Sequence, residues 1–242
     1  MDLDMKAKLL MGLDISVCGI TIKNHTIGKI FKDIGLTKYL QLSSIATRDV
    51  KDYISREYLD QFKDISVFDI FCMTQEMNDT FIEFLNLFTE YEWKFVHNNL
   101  FTEFYAKNEN GKSVHISKEN IQEIFETIKM MYCLDSSKKE SEREDIDDRM
   151  KEILAELEEE ESKVNESKGT KVTILSIMLG LASKHNSINL LNMWDYTIYQ
   201  IIKTYHYVEK IDNEDRVVQG IYAGTIDGKK IDLEKLHWAT EQ

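Results

Sequence analysis

The chain has 242 residues, 43% of them hydrophobic, enough to build a packed core in one large or two small domains and to exclude disorder throughout. Its 30 Lys and Arg against 43 Asp and Glu give a formal charge of -13, which repels phosphate at long range and argues against a general binder of nucleic acid or of an anionic membrane. Cys18, Cys72 and Cys133 are odd in number and far apart, a pattern for a reducing compartment rather than a disulfide framework or a metal site, and the absence of proline removes the commonest helix breaker.

Residues 1–14 begin with Asp2 and Asp4, and their apolar run from Leu9 to Leu13 stops at Asp14, so they lack the plan of a signal peptide. Ile15, Val17, Ile20 and Ile22 around Cys18-Gly19 predict a short strand or hairpin arm, and Thr26 caps a helix through Lys32 that Gly35 ends. A helix from Leu36 to Ala46 follows, with Tyr39, Leu40, Leu42 and Ile45 inward. Short helices are expected at Asp49–Tyr53 and Ser55–Phe62. Ser66 with Asp69 reads as a capping box opening a helix through Met73, and Asp79 starts an amphipathic helix with Phe81, Ile82, Leu85, Phe88 and Tyr91 on one side. Trp93, Phe95, Phe101, Phe104 and Tyr105 are strand formers. With the turn signal at Asn108-Glu109-Asn110-Gly111 before Val114 and Ile116, they predict a small antiparallel insertion of two or three strands. Ser117 then caps a helix whose Ile121, Ile124, Phe125, Ile128 and Met131 form an apolar face.

From Glu140 to Glu166 thirteen acidic residues stand against four basic ones, so this stretch supplies -9 of the total charge. Met150, Leu154, Leu157 and Val164 fall at near-heptad spacing. The run reads as a solvated helix, a docking surface for a basic partner, or a mimic of a nucleic-acid backbone. Val172–Ser183, between Lys171 and Lys184, is apolar on all sides yet well short of the roughly 20 residues that span a bilayer. It is expected as a buried helix, and the protein as soluble and cytoplasmic, with no membrane partner. Leu191, Trp194, Ile198, Ile201, Tyr205 and Val208 follow a 3-4-3-4-3 step, the stripe of one helix face and the expected structural core. Tyr199 lies beside that stripe, next to Gln200 and one turn before Lys203, and these three are the expected partner-binding residues. The Gly-rich tail is β-prone.

His25, His97, His115, His185, His206 and His237 lack the ligand spacing of a metal site, and Gly19, Gly28 and Gly35 are too dispersed to cradle a phosphate. No catalytic, cofactor-binding or metal-ligating residue is expected, and no enzyme. The fold class expected is α+β, predominantly α-helical: a helical core with small antiparallel β-hairpins near the N-terminus, mid-chain and at the C-terminus. Residues 1–135 form an N-terminal helical region with the β insertion and residues 136–169 an acidic linker or helix. Residues 170–242 form C-terminal helices and a tail that share one core with the first region.

Three stretches carry a resemblance: Ile27-Gly28-Lys29-Ile30-Phe31 with Ile34 to Tyr39, the block from Asn189 through Trp194-Asp195-Tyr196-Thr197-Ile198-Tyr199-Gln200, and Gly220 to Trp238 with Lys229-Lys230-Ile231-Asp232. Together they resemble the tail assembly chaperones encoded in tail modules of phages and prophages of Gram-positive bacteria. The resemblance implies a protein of the host bacterial cytoplasm that binds and shields the tape measure protein while the tail tube polymerises, with contact to the tail tube protein or self-association as further partners. A structural tail component such as an adaptor or baseplate part, or an acidic inhibitor of a host nucleic-acid-binding protein, are the other functions these features allow.

Overall fold

The computed structural model describes residues 3–55, 58, 64–97, 102–107, 111, 113–134, 173–184 and 187–239. The expected Ser55–Phe62 helix falls largely outside them, and the acidic run from Glu140 to Glu166 entirely so. Among the described residues the fold is α+β and mainly helical, with one two-stranded and one three-stranded antiparallel sheet.

Helix α1 (Leu3–Leu10) leads into strands β1 (Ile15–Val17) and β2 (Ile20–Ile22), which pair around a turn where Cys18 and Gly19 both take positive φ. Thr26 caps α2 (Ile27–Lys29), its hydroxyl accepting from the Lys29 N–H, and the chain continues as a π turn over Ile30–Ile34 closed at Gly35. In α3 (Leu36–Ser43) and the 3-10 turn after it, Tyr39, Leu42 and Ile45 are buried as expected. Leu40 faces solvent instead, 54% exposed, because position 40 lies off the inner row that 39, 42 and 45 define.

The Ser66 and Asp69 capping box is present and opens α4 (Val67–Met73). Asp69 is strengthened by an ion pair with Lys118 at 2.7 Å. Helix α5 (Gln75–Phe88) starts four residues before the expected Asp79, since the Thr74 hydroxyl caps it through the Met77 N–H at 3.2 Å. Tyr91 consequently lies past its end. Strands β3 (Lys94–His97), β4 (Thr102–Lys107) and β5 (Ser113–Ile116) form the mid-chain sheet in that order, with Phe104, Ala106, Val114 and Ile116 turned inward. Helix α6 (Ile121–Met131) begins after Asn120 rather than Ser117. The Asn120 side chain accepts from the Ser117 N–H at 2.9 Å and so closes a turn where a longer helix was expected. All five predicted inner residues of α6 are buried.

The main core is an assembly of rings. Phe81 stacks on Phe71 with centroids 4.4 Å apart and meets Phe104 edge-on at 4.8 Å, while Phe84, Phe88, Phe125, Tyr39 and Tyr132 continue the chain of contacts. The first hairpin is tied to it by the Lys23 N–H donating to the Phe88 carbonyl at 2.8 Å and by Tyr132, whose hydroxyl donates to the Lys23 carbonyl at 2.7 Å.

Beside these bonds lies His25, 5% exposed, its Nε2–H donating to the Leu87 carbonyl at 2.7 Å. Burial pushes its pKa below the ordinary histidine range; Lys29 and Lys23 push the same way, against the Leu87 carbonyl and Asp14. The unfolded chain therefore takes up the proton first as pH falls below about 6.5. The contribution of neutral His25 is complete above that pH and declines below it. Urea melts should show stability falling as the pH drops below about 6.5, with a slope no steeper than the roughly 1.4 kcal/mol per pH unit that a one-proton difference allows. A His25→Gln variant should show a flatter profile over that window, and an unchanged slope would place the acid sensitivity elsewhere.

Candidate partner-binding groove

Two long-range contacts set the geometry of the C-terminal third. The first joins it to the start of the chain. Thr26 bridges Thr197, the Ile27 N–H donates to the Tyr196 carbonyl at 2.9 Å, and Gly28 lets Trp194 approach so closely that a Cβ there would stand 2.9 Å from the Trp194 carbonyl oxygen. Phe31, on the π turn, meets the Trp194 ring edge-on at 5.7 Å. This clasp sits over a second apolar cluster of Ile27, Met178, Leu181, Ile188, Met193 and Ile201, against which Phe31 and Ile198 pack as they do against the main core.

The second contact pairs α7 (Ile174–Lys184) with α8 (Ile198–Tyr222). The expected stripe from Leu191 to Val208 is not one helix. Thr197 and Gln200 form a capping box that starts α8 only at Ile198, and the preceding residues are a turn held by Asn189 and Asn192 followed by a 3-10 turn at Met193–Asp195. Leu191 is therefore 89% exposed, a correction to its expected place in the core. Of the other stripe residues Ile201 is fully buried, while Trp194, Ile198, Tyr205 and Val208 are half-buried against the second cluster.

Tyr199 is corrected too. It does not face outward but is 3% exposed in the main core, with the Lys203 ammonium over its ring at 5.4 Å. Gln200 spends its side chain on the Thr197 N–H and on the Leu10 carbonyl, both at 2.8 Å. The geometry thus makes Tyr199 and Gln200 anchoring residues rather than an accessible surface. The C-terminal hairpin is also replaced: α8 runs through the β-prone residues to Tyr222, followed by a 3-10 turn at Gly228–Lys230 and the short helix α9 (Leu233–Leu236).

Nor is α7 buried on all sides. Met178 and Leu181 face the second cluster, but Leu175 and Leu179 are 41% and 55% exposed, because nothing among the described residues covers that side. Between α7 and α8 a groove of about 470 Å³ opens, lined by Ile177, Gly180 and Leu181 from one helix and by Tyr205, Val208 and Arg216 among others from the second. Its aliphatic surface comes from three side chains, Ile177, Leu181 and Val208. Its rim is polar: Lys184 pairs with Asp212, the Tyr205 hydroxyl donates to Glu209, and Asn213 and Arg216 complete the edge. A Cβ on Gly180 would meet nothing within 4 Å, so the groove has open space at this point.

An aliphatic trough between two helices with charged rims is the shape that receives the apolar face of a third helix. Sequence reasoning missed Gly180, Lys184, Asp212 and Arg216. The one local signal was a glycine inside an otherwise apolar helical run, which marks a close approach or a packing site.

Residues 163–241 match the family model described as the YomV second domain. YomV is a Bacillus phage-region protein, so the chain is similar to a phage-associated protein over its last third. Every residue that lines the groove lies within that match, as do two of the three stretches that carried the resemblance. No curated protein and no solved structure matches the chain. Among the described residues no helix is long and apolar enough to cross a membrane.

Proposed function

We propose that the protein is a non-enzymatic tail assembly chaperone whose α7–α8 groove holds helical segments of the phage tape measure protein before the tail tube encloses them. The reading is supported by one observation above the others: the aliphatic groove falls entirely inside the segment similar to a phage-region protein. A tape measure is a long helix with apolar seams, and a seam awaiting its tube needs a complementary trough in the meantime. The excess of acidic residues favours a client with basic flanks.

Gly180→Gln tests this without disturbing the fold. Glutamine is the better helix former, and the space above Gly180 is open, so the helix gains propensity while the trough fills. Co-purification of the tape measure protein from co-expressing cells should fall at least about tenfold, as expected when a central contact is blocked. The circular dichroism spectrum should stay that of the wild type. Undiminished recovery by the folded variant would rule the groove out as the client site.

A further inference from the structure

The row of α8 that lines the groove, Val208, Asp212 and Arg216 at steps of four, continues to Gly220. There the chain's own tail takes over. Gly224, at φ +73°, ends the helix, and the Thr225 and Ile226 N–H groups both donate to the Gly220 carbonyl, at 2.9 and 3.1 Å. This turn folds Ile226 onto Gly220 so closely that a Cβ there would stand 2.6 Å from its Cδ1. Ile221 packs in return on Gly228. The chain then runs back along α8 until the Trp238 N–H donates to Glu214 Oε2 at 2.9 Å, two residues past Arg216 in that direction and on the face of α8 turned away from the groove row.

Glycine is the least favourable helix-interior residue after proline, and what Gly220 gains is room for an aliphatic side chain. Gly180 offers the same kind of surface bare. Leu233 and Trp238 remain 52% and 43% exposed, which places the segment at the low end of local stability.

We propose that the tail from Ala223 to Ala239 is a displaceable latch on the distal end of the groove. The inference rests on the groove reading above. The open stretch of α8, Tyr205 to Arg216, is roughly 17 Å long at about 1.5 Å per residue. A partner helix of about three turns fits it with the latch closed. A longer amphipathic helix, the form a tape measure segment takes, lifts Ile226 from Gly220 and continues along the helix in its place. Binding of long helices is then weakened by the fraction of time the latch is shut.

Two variants of the full chain separate latch from fold. Gly224→Val strains the φ +73° turn that returns the tail, and Ile226→Ser loosens the latch, while both leave the Gly220 surface of α8 untouched. The probes are labelled amphipathic Ala/Leu/Lys peptides of 11 and 21 residues, with affinity read by fluorescence anisotropy and tail opening by hydrogen–deuterium exchange over residues 223–239. Both variants should bind the long peptide about tenfold more tightly than wild type and leave the short peptide unchanged, and the long peptide should speed tail exchange in the wild type, since coupling is reciprocal. Equal long-peptide affinity in all three proteins, with tail exchange unmoved, overturns the latch and leaves the groove standing. Failure of either peptide to bind any of the three overturns the latch together with the groove.

Discussion

Phe81→Ala is expected to cost about 4 kcal/mol of unfolding free energy, a large share of the total for a domain of this size. Phe81 is fully buried and touches Phe71, Phe84, Phe104 and Phe125, so it joins α4, α5, α6 and the mid-chain sheet at one point. Four rings would lose their common neighbour, and stacked rings that hold one another cannot all collapse into the space. Phe81→Leu keeps part of the volume and should cost less than half as much. Urea denaturation of the two variants measures both, and a loss under about 1 kcal/mol for the alanine would show that the ring assembly is not what holds the core.

Tyr199→Ala comes second, at about 3 kcal/mol. A surface position beside the stripe would have left the fold intact on truncation. The residue instead pins the first turn of α8 to the main core, while Ile201 two residues on pins the same helix to the second cluster. Loss of Tyr199 should therefore lower the melting temperature more than Trp194→Ala does. The Trp194 ring is half-buried and held by its indole N–H to the Leu190 carbonyl at 2.9 Å and by Phe31. Melts of both variants decide it, and a Tyr199→Ala protein as stable as wild type would restore that residue to the surface.

What could be read from the sequence was what neighbours in sequence decide. The capping box at Ser66, the cap at Thr26, the end at Gly35 and the inner row of α6 each depend on residues within a turn or two of one another. The start of α8 was legible as well, for Thr197 and Gln200 stand at capping-box spacing, but the 3-4 rhythm beginning at Leu191 masked it. Phe84 escaped because Phe81, Ile82, Leu85 and Phe88 already made a plausible face; in the fold Phe84 is fully buried and Ile82 half-buried. Along α8, Val217, Val218, Ile221 and Tyr222 favour a strand, yet the tail that packs on Gly220 and Glu214 supports a helix there. The groove was out of reach altogether. It exists only where α7 and α8 meet, and no spacing within either helix announces the other.

The clasp between the two ends of the chain also sets a timetable for synthesis. Gln200 reaches the Leu10 carbonyl across 190 positions, and Thr26 waits for Thr197 over almost the same span. At about 5–20 residues per second, translation leaves α1 and α2 without these partners for on the order of ten to forty seconds. During that interval the apolar side chains of Ile27 and Phe31 have no Trp194 or Met193 to cover them, so a nascent chain is at its most adhesive before the turn at Met193–Asp195 emerges. A ribosome paused ahead of Thr197 would hold the protein in that state, and its own N-terminus would then be the segment in need of shielding.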